Sequence, residues 1–237
     1  MATLHFLANP ARFRRFSSAV LPALSVVTAL ALAAGLYLGI VVAPPDYQQG
    51  ETVRIMFVHV PAAWLSMAGY ALLAGLGASL LVWRHPLAAL MARASAPVGA
   101  SFAAICLITG SLWGRPMWGT YWVWDARLTS MLLLFFLYLG HMALSRAYDD
   151  PDRGDRAAAI LALVGLINLP IIKFSVDWWN TLHQPASVAR LGGPSIHPTI
   201  LTPLLVMAAA LLLLYVTLVL LRTETEIDRR RLEAAER

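Results

Sequence analysis

Six long apolar runs constrain this sequence more than any other feature. A helix needs roughly 20 predominantly apolar residues to cross a bilayer. Charged residues make up 13% of the chain, against about 25% in soluble domains. We therefore predict one all-α integral membrane domain over 1–237 with six transmembrane helices. The runs that carry this prediction cover 17–43, 55–83, 97–112, 128–144, 157–176 and 201–221.

The first run resembles a signal peptide only in part. A basic lead, Arg12, Arg14 and Arg15, precedes it, and it contains the small-residue pattern Ala31-Leu32-Ala33. However, the run is much longer than the 7–15-residue apolar core of a signal peptide. We therefore expect an uncleaved membrane anchor.

Basic residues predict the orientation of the helices. With the N-terminus inside, 13 of the 18 Lys and Arg residues fall in cytoplasmic segments, as the positive-inside rule requires. Both termini are then cytoplasmic, with tails 1–16 and 222–237, in a bacterial inner membrane. Because the arginines lie at the ends of apolar runs, we expect no nucleic-acid partner. The outer, periplasmic loops are 44–54, 113–127 and 177–200.

A tryptophan-rich loop joins the third and fourth predicted helices. It reads WGRPMWGTYWVWD from Trp113 to Asp125, and it includes Trp118, Trp122 and Trp124. An aromatic belt at the headgroups is one interpretation, but a belt populates both interfaces. A run this compact favours an aromatic platform for a broad planar ligand, because indoles combine large apolar faces with one N–H donor each.

The conformation of this loop stays open at the level of sequence. We expect Gly114, Pro116 and Gly119 to prevent a plain helix in its first half. A helical second half would place Trp118, Trp122 and Asp125 on one face, whereas an extended one would pair Trp122 with Trp124.

Two histidines lie on the same predicted face as the loop. His59 is near the outer end of the second helix in FVHVP, and His183 is in the third outer loop in DWWNTLHQP. A lone buried histidine is more often a packed residue than a ligand. Two beside an aromatic loop favour haem, whose iron commonly takes imidazole ligands. His197 is a weaker outer candidate, and His5, His85 and His141 lie toward the cytoplasm.

Arginines and absent motifs narrow the chemistry further. Arg54 and Arg127 flank the site and could clamp haem propionates, although interfacial anchoring explains them equally well. Zinc is not expected, since no H-E-x-x-H or C-x-x-C spacing occurs. The single Cys106 excludes an intrachain disulfide, and the chain lacks the C-x-x-C-H of c-type cytochromes. It also lacks a P-loop, and no nucleophile and base form an obvious pair, so we do not predict an enzyme.

The run WGTYWVWDARLTS resembles the WWD signature of the haem-handling proteins of cytochrome c maturation. With FVHVPAAW, DWWNTLHQP and the six-helix length, the sequence resembles the maturation protein C branch of that family from about Ser17 to Leu221. The Gly- and Pro-rich stretch 190–198 departs from the likeness. The resemblance implies a transiently held b-type haem, iron ligands at His59 and His183, and a platform of Trp118, Trp122, Trp124 and Asp125, with Trp113 a less certain member.

The resemblance also implies partners. These are a periplasmic haem chaperone (CcmE), a small single-span membrane protein (CcmD) and the subunits of an ABC transporter (CcmA and CcmB). The lack of a P-loop agrees with ATP hydrolysis by a separate subunit. Three functions remain: a haem-holding delivery protein, a transporter of haem or another planar solute through the bundle, and a structural subunit whose tryptophans only anchor it. Few polar residues along the helices favour delivery over transport.

Overall fold

The computed structural model describes residues 9–185, 187–188 and 190–235, and those residues are helical apart from short connections and one isolated bridge between Asp46 and Gly50. The helices are α1 (Pro10–Tyr37), α2 (Met56–Trp83), α3 (Pro86–Trp118), α4 (Ala126–Leu144), α5 (Pro151–Gly165), α6 (Asn168–Trp178) and α7 (Pro198–Ala235). A π-helical turn, Leu38–Val42, extends α1, and a 3₁₀ turn, Glu51–Ile55, precedes α2.

The helices form six spans that are long and apolar enough to cross a membrane, which confirms the predicted number. They are Pro10–Val42, Glu51–Trp83, Pro86–Trp118, Ala126–Leu144, Pro151–Trp178 and Pro198–Glu233. The fifth span is interrupted at residues 166–167 because Pro170 has no N–H to donate to the carbonyl one turn earlier. The even number of spans puts both chain ends on the same side.

The connections divide the bundle into two ends. We call the end with the connections 43–50, 119–125 and 179–197 the tryptophan-rich end. The opposite end carries the connections 84–85 and 145–150, together with the start of α1 and the end of α7, and we call it the arginine-rich end. His85 and His141 lie toward this second end, opposite His59 and His183, whereas His5 lies outside the described residues.

Several predicted boundaries are wrong, most clearly around the loop 113–127. Helix α3 continues through Trp118, so Gly114 and Pro116 do not prevent a helix there. Pro116 lies in the last turn, where it removes only one helical hydrogen bond. A Cβ on Gly114 would lie 3.1 Å from the Thr120 carbonyl oxygen, so this glycine permits close packing. Gly119, with φ 77°, ends the helix, and the non-helical loop is only 119–125.

Helix α7 runs unbroken to Ala235 and so includes most of the predicted C-terminal tail 222–237. Arg229 pairs with Glu226 and Glu233 one turn before and after it, at 2.7 and 3.0 Å. Arg14 on α1 pairs with Asp228 at 2.6 Å. The Arg229 pairs stabilise α7 itself, and the Arg14–Asp228 pair joins its polar part to α1.

Buried tyrosines close the middle of the bundle. Tyr138 is fully buried and donates a hydrogen bond to the Ser66 carbonyl oxygen at 2.7 Å. Its ring meets Tyr70 edge to face, with centroids 5.1 Å apart. Helix α3 can approach only because Gly99 has no side chain, since a Cβ there would lie 2.3 Å from the Tyr138 ring.

We therefore predict that Gly99→Ala destabilises the protein by about 1–3 kcal/mol, the usual cost of overpacking a core. The matched control is Gly75→Ala in α2, where a Cβ would meet no atom within 4 Å. The measurement is thermal unfolding in detergent. Equal melting temperatures for the two variants would show that the tyrosine cluster does not determine the helix spacing.

Candidate functional site

His59 lies at the contact between α2 and α3, with its ring fixed from one side. Its Nδ1 atom is 3.1 Å from the Cys106 carbonyl oxygen and 3.1 Å from Thr109 Oγ1. Because a carbonyl oxygen only accepts, Nδ1 carries the proton and Nε2 keeps a free lone pair. The ring fits because Gly110 has no Cβ, which would lie 2.8 Å from His59 Cε1.

Trp113, which also lies on α3, packs against the His59 ring. The two rings meet edge to face, with centroids 5.6 Å apart. Thr109, Gly110 and Trp113 lie on one face of α3. Thr109 orients the imidazole of His59, Gly110 leaves space for it, and Trp113 covers it.

His183 is held by the residues at the two ends of the loop 119–125. Its ring lies 4.8 Å from that of Trp118, the last residue of α3. Its Nδ1 atom is 3.6 Å from Asp125 Oδ2. Its backbone N–H donates to Thr181 Oγ1 at 3.0 Å. The loop therefore positions the second histidine although that residue is about 60 positions away in the sequence.

Asp125 has two roles because it is also the N-cap of α4. Its Oδ1 atom accepts a hydrogen bond from the Leu128 N–H at 2.8 Å, while Oδ2 faces His183. The side chain is only 5% exposed. The hydrogen bond that starts α4 therefore fixes the carboxylate beside the imidazole.

The loop between Trp118 and Asp125 is extended, so the structure contains the second of the two predicted arrangements. Trp122 and Trp124 meet edge to face with centroids 5.4 Å apart. The turn before them is held by Ser111 Oγ, which donates to the Tyr121 carbonyl oxygen at 2.7 Å, and by Arg115, which donates to that of Gly119. Trp124 is 76% exposed.

Several polar atoms of this site are buried without a hydrogen-bond partner in the described part of the chain. They are Trp113 Nε1, Trp122 Nε1, Asp125 Oδ2 and His183 Nδ1. The guanidinium of Arg127 likewise has no hydrogen bond or ion pair to any residue that the structure describes. Unpaired buried donors are costly, so the two indole N–H groups and the Arg127 guanidinium fit a planar ligand with acidic groups at its edge, whereas Asp125 Oδ2 and His183 Nδ1 face each other.

Charged neighbours influence the imidazole of His183. The Arg127 guanidinium and the Asp125 carboxylate act on His183 in opposite directions. Burial, with a further contribution from Arg127, lowers the pKa of His183 from 6.5 to about 4, and Asp125 opposes this shift. The His183 imidazole is therefore neutral near pH 7, the form that binds metals.

The structure does not bring every predicted residue to the site. Arg54 donates to Glu51 at 2.6 Å and to the Gly39 and Ile40 carbonyl oxygens, so its guanidinium closes the end of the first span. His197 pairs with Thr199 at 2.8 Å at the start of α7. Thr109 and Gly110 were missed, since nothing in their local sequence marks them as neighbours of His59.

The geometry defines a class: a six-span membrane protein with two oriented histidines and an aromatic loop at one end of its bundle. The family model described as "Heme exporter protein C" matches residues 3–237, and the chain belongs to that family. It is 62% identical to heme exporter protein C of Bradyrhizobium diazoefficiens, over 98% of this chain and 88% of the relative. The Escherichia coli K12 protein of the same name is 49% identical, over 93% and 89%.

A further relative, a ccmC-like mitochondrial protein of Marchantia polymorpha, has a name that associates it with cytochrome c biosynthesis. It is 50% identical over 75% of both chains. Together these matches cover all the helices that form the site. They confirm the resemblance that the WWD run and the two histidine contexts indicated.

The environment of His183 gives a prediction for the haem-free protein. Between pH 6.5 and about 4 its imidazole stays neutral. Because Arg127 disfavours the charged ring and Asp125 favours it, Arg127→Gln raises the pKa of His183 and Asp125→Asn lowers it further. NMR of ¹⁵N-labelled histidine side chains measures both changes. Shifts of the same sign in the two variants would contradict this arrangement.

Proposed function

We propose that this protein holds haem at its tryptophan-rich end and presents it to the periplasmic haem chaperone of cytochrome c maturation. The observation that carries the proposal is the pair of histidines, each with Nδ1 turned toward an oxygen of the protein. Metal-binding histidines typically engage their second nitrogen in this way, which fixes the ring and leaves Nε2 for the metal. Haem is the cargo here, and His59 and His183 are its proposed axial ligands.

The two proposed ligands differ in basicity. The Nδ1–H of His59 faces a neutral carbonyl oxygen and a hydroxyl, whereas Nδ1 of His183 faces a carboxylate. A carboxylate partner makes an imidazole a stronger donor to iron. His183 is thus the more basic ligand, and it lies in a connection between helices. His59 is the more rigid one, since it lies within α2.

The surrounding residues suit the rest of the porphyrin. Trp113 and Trp122 offer indole N–H donors without partners in the described chain, and Arg127 offers a guanidinium that can pair with a propionate. Trp124, Trp178 and Trp179 are exposed at the same end. An aromatic surface open to one side supports transient binding and transfer to a partner, because the cargo need not cross the bundle to leave.

The location and partners form part of this proposal. The excess of basic residues at the arginine-rich end supports a cytoplasmic position for that end, which makes the tryptophan-rich end periplasmic. We propose that the chain is not an enzyme. It works with a single-span membrane protein and with separate ATP-binding cassette subunits, since its own sequence contains no P-loop.

Transport through the bundle is the second candidate, and the name of the relatives, heme exporter protein C, favours it. Against it, Tyr70 and Tyr138 are fully buried and fill the centre of the bundle. A porphyrin could not pass without displacing them. Haem accumulation by liposomes that contain only this protein would favour transport over delivery.

The first prediction from this function concerns the ligands. His59→Gly and His183→Gly each lower the amount of haem that copurifies by about tenfold or more, because losing a ligand costs at least as much as losing one of its outer partners. Added imidazole restores the Soret band by occupying the vacated space. His197→Gly is the control, and a haem loss in that variant as large as in the other two would sink the assignment.

The second prediction concerns the carboxylate. Asp125→Asn keeps the N-cap of α4, since Asn caps helices as well as Asp does. It weakens the donor strength of His183, which disfavours ferric iron, and we expect the midpoint potential to rise by about 60 mV, a tenfold change in relative affinity. The control variant is Asp177→Asn. Asp177 also carries a negative charge that acts on Arg127, but it does not face His183. An equal rise in both variants would mean that charge alone, and not the contact with His183, sets the potential.

A further inference from the structure

A polar cavity of about 230 Å³ lies at the arginine-rich end, away from the proposed haem site. It opens between α3, the connection 145–150, the start of α5 and the end of α7. A smaller pocket shares part of its wall and reaches deeper, to His141. The residues common to both are Arg93, Ser145, Arg146 and Arg229.

The deep wall of this cavity is polar although it is buried. The Arg93 side chain is 8% exposed, and it is held by Asp155 Oδ1 at 2.5 Å and by the Pro151 carbonyl oxygen at 3.3 Å. His141, which lines the smaller pocket and not the larger cavity, is 2% exposed, and its Nδ1 atom has no hydrogen-bond partner in the described structure. An unpaired polar atom at this depth is costly unless a ligand or water completes it. The buried Arg93 and the unpaired His141 therefore indicate a preformed binding site.

Most of the charge around the cavity is already neutralised. Asp155 pairs with Arg93 and with Arg230, and Glu226 and Glu233 pair with Arg229. Asp149, on the rim, is exposed. Arg146 differs from the other arginines of the wall, because no described residue pairs with its guanidinium. Its five N–H donors are available to an anion.

The position of Arg146 indicates where such an anion would lie. Helix α4 ends at Leu144 and α5 begins at Pro151, so the cavity lies at the level where two spans reach the membrane surface. Basic pockets between transmembrane helices on the cytoplasmic side typically hold the headgroups of anionic lipids. The volume of the cavity at the arginine-rich end is below the 300–1,000 Å³ of pockets for larger planar ligands, but it suffices for a lipid headgroup.

We propose that this cavity binds a phosphate group, presented by an anionic phospholipid headgroup or as free phosphate. Arg146 donates to the phosphate oxygens from the rim as a forked, charge-assisted donor. Arg229 lies beside it with its charge balanced by Glu226 and Glu233, and His141 and Ser145 line the smaller, deeper pocket. The bound phosphate would add a contact between the end of α4 and α7, whereas the Asp155 ion pairs join α5 to α3 and to α7.

The experiment uses the full-length protein in detergent with defined additions. Phosphatidylglycerol is titrated in one arm, phosphatidylcholine in a second, and potassium phosphate against potassium chloride at equal ionic strength in a third. Native mass spectrometry counts retained lipid, and thermal unfolding reports stabilisation. We expect Arg146→Gln to bind about tenfold more weakly, as for loss of a charged hydrogen-bond donor.

The matched control is Arg153→Gln, which removes the same charge from an exposed arginine at the same end that does not line the cavity. Because Arg146 is exposed and has no partner in the described chain, its variant should unfold at the wild-type temperature without additions. Stabilisation by phosphatidylglycerol alone identifies the membrane as the source, and stabilisation by phosphate identifies the free ion as sufficient. No stabilisation in either arm, or equal loss in both variants, overturns the proposal.

Discussion

A bilayer offers no hydrogen bonds to the backbone, and this constraint decides the rest of the structure. Each span must satisfy its own N–H and C=O groups, so the chain crosses as helices and its irregular segments collect at the two ends. Side chains with free donors or lone pairs follow the irregular segments. The proposed haem site and the polar cavity therefore lie at opposite ends, and the packed tyrosines Tyr70 and Tyr138 separate them.

Sequence patterns predict the fold well and the local geometry poorly, for a physical reason. The six apolar runs are set by membrane thickness, so the number of spans follows directly from them. Boundaries depend on single capping events instead. Gly119 ends α3 and Asp125 starts α4, so the loop begins six residues later and ends two residues earlier than the predicted 113–127.

The same contrast holds for the site. His59, His183 and the tryptophans could be predicted because their residue types are rare at membrane depth and their spacing is distinctive. Thr109 and Gly110 could not, since they contact His59 only when α2 and α3 pack side by side. Arg54 and Arg127 are indistinguishable in the sequence. In the structure, the π-helical turn after α1 offers carbonyl oxygens to Arg54. Arg127 has no such partner in the described chain.

Asp125 shows how one hydrogen bond can join folding to function. As the N-cap of α4 it starts this helix, a role that Ser, Thr or Asn could also fill, and its Oδ1 atom accepts the capping hydrogen bond. The second oxygen is then fixed in direction without any further cost in side-chain entropy, and it faces His183. His183, which lies in a connection between helices, is thereby oriented by a carboxylate that the start of α4 fixes. The loop 119–125 can thus stay partly exposed and still orient the second histidine.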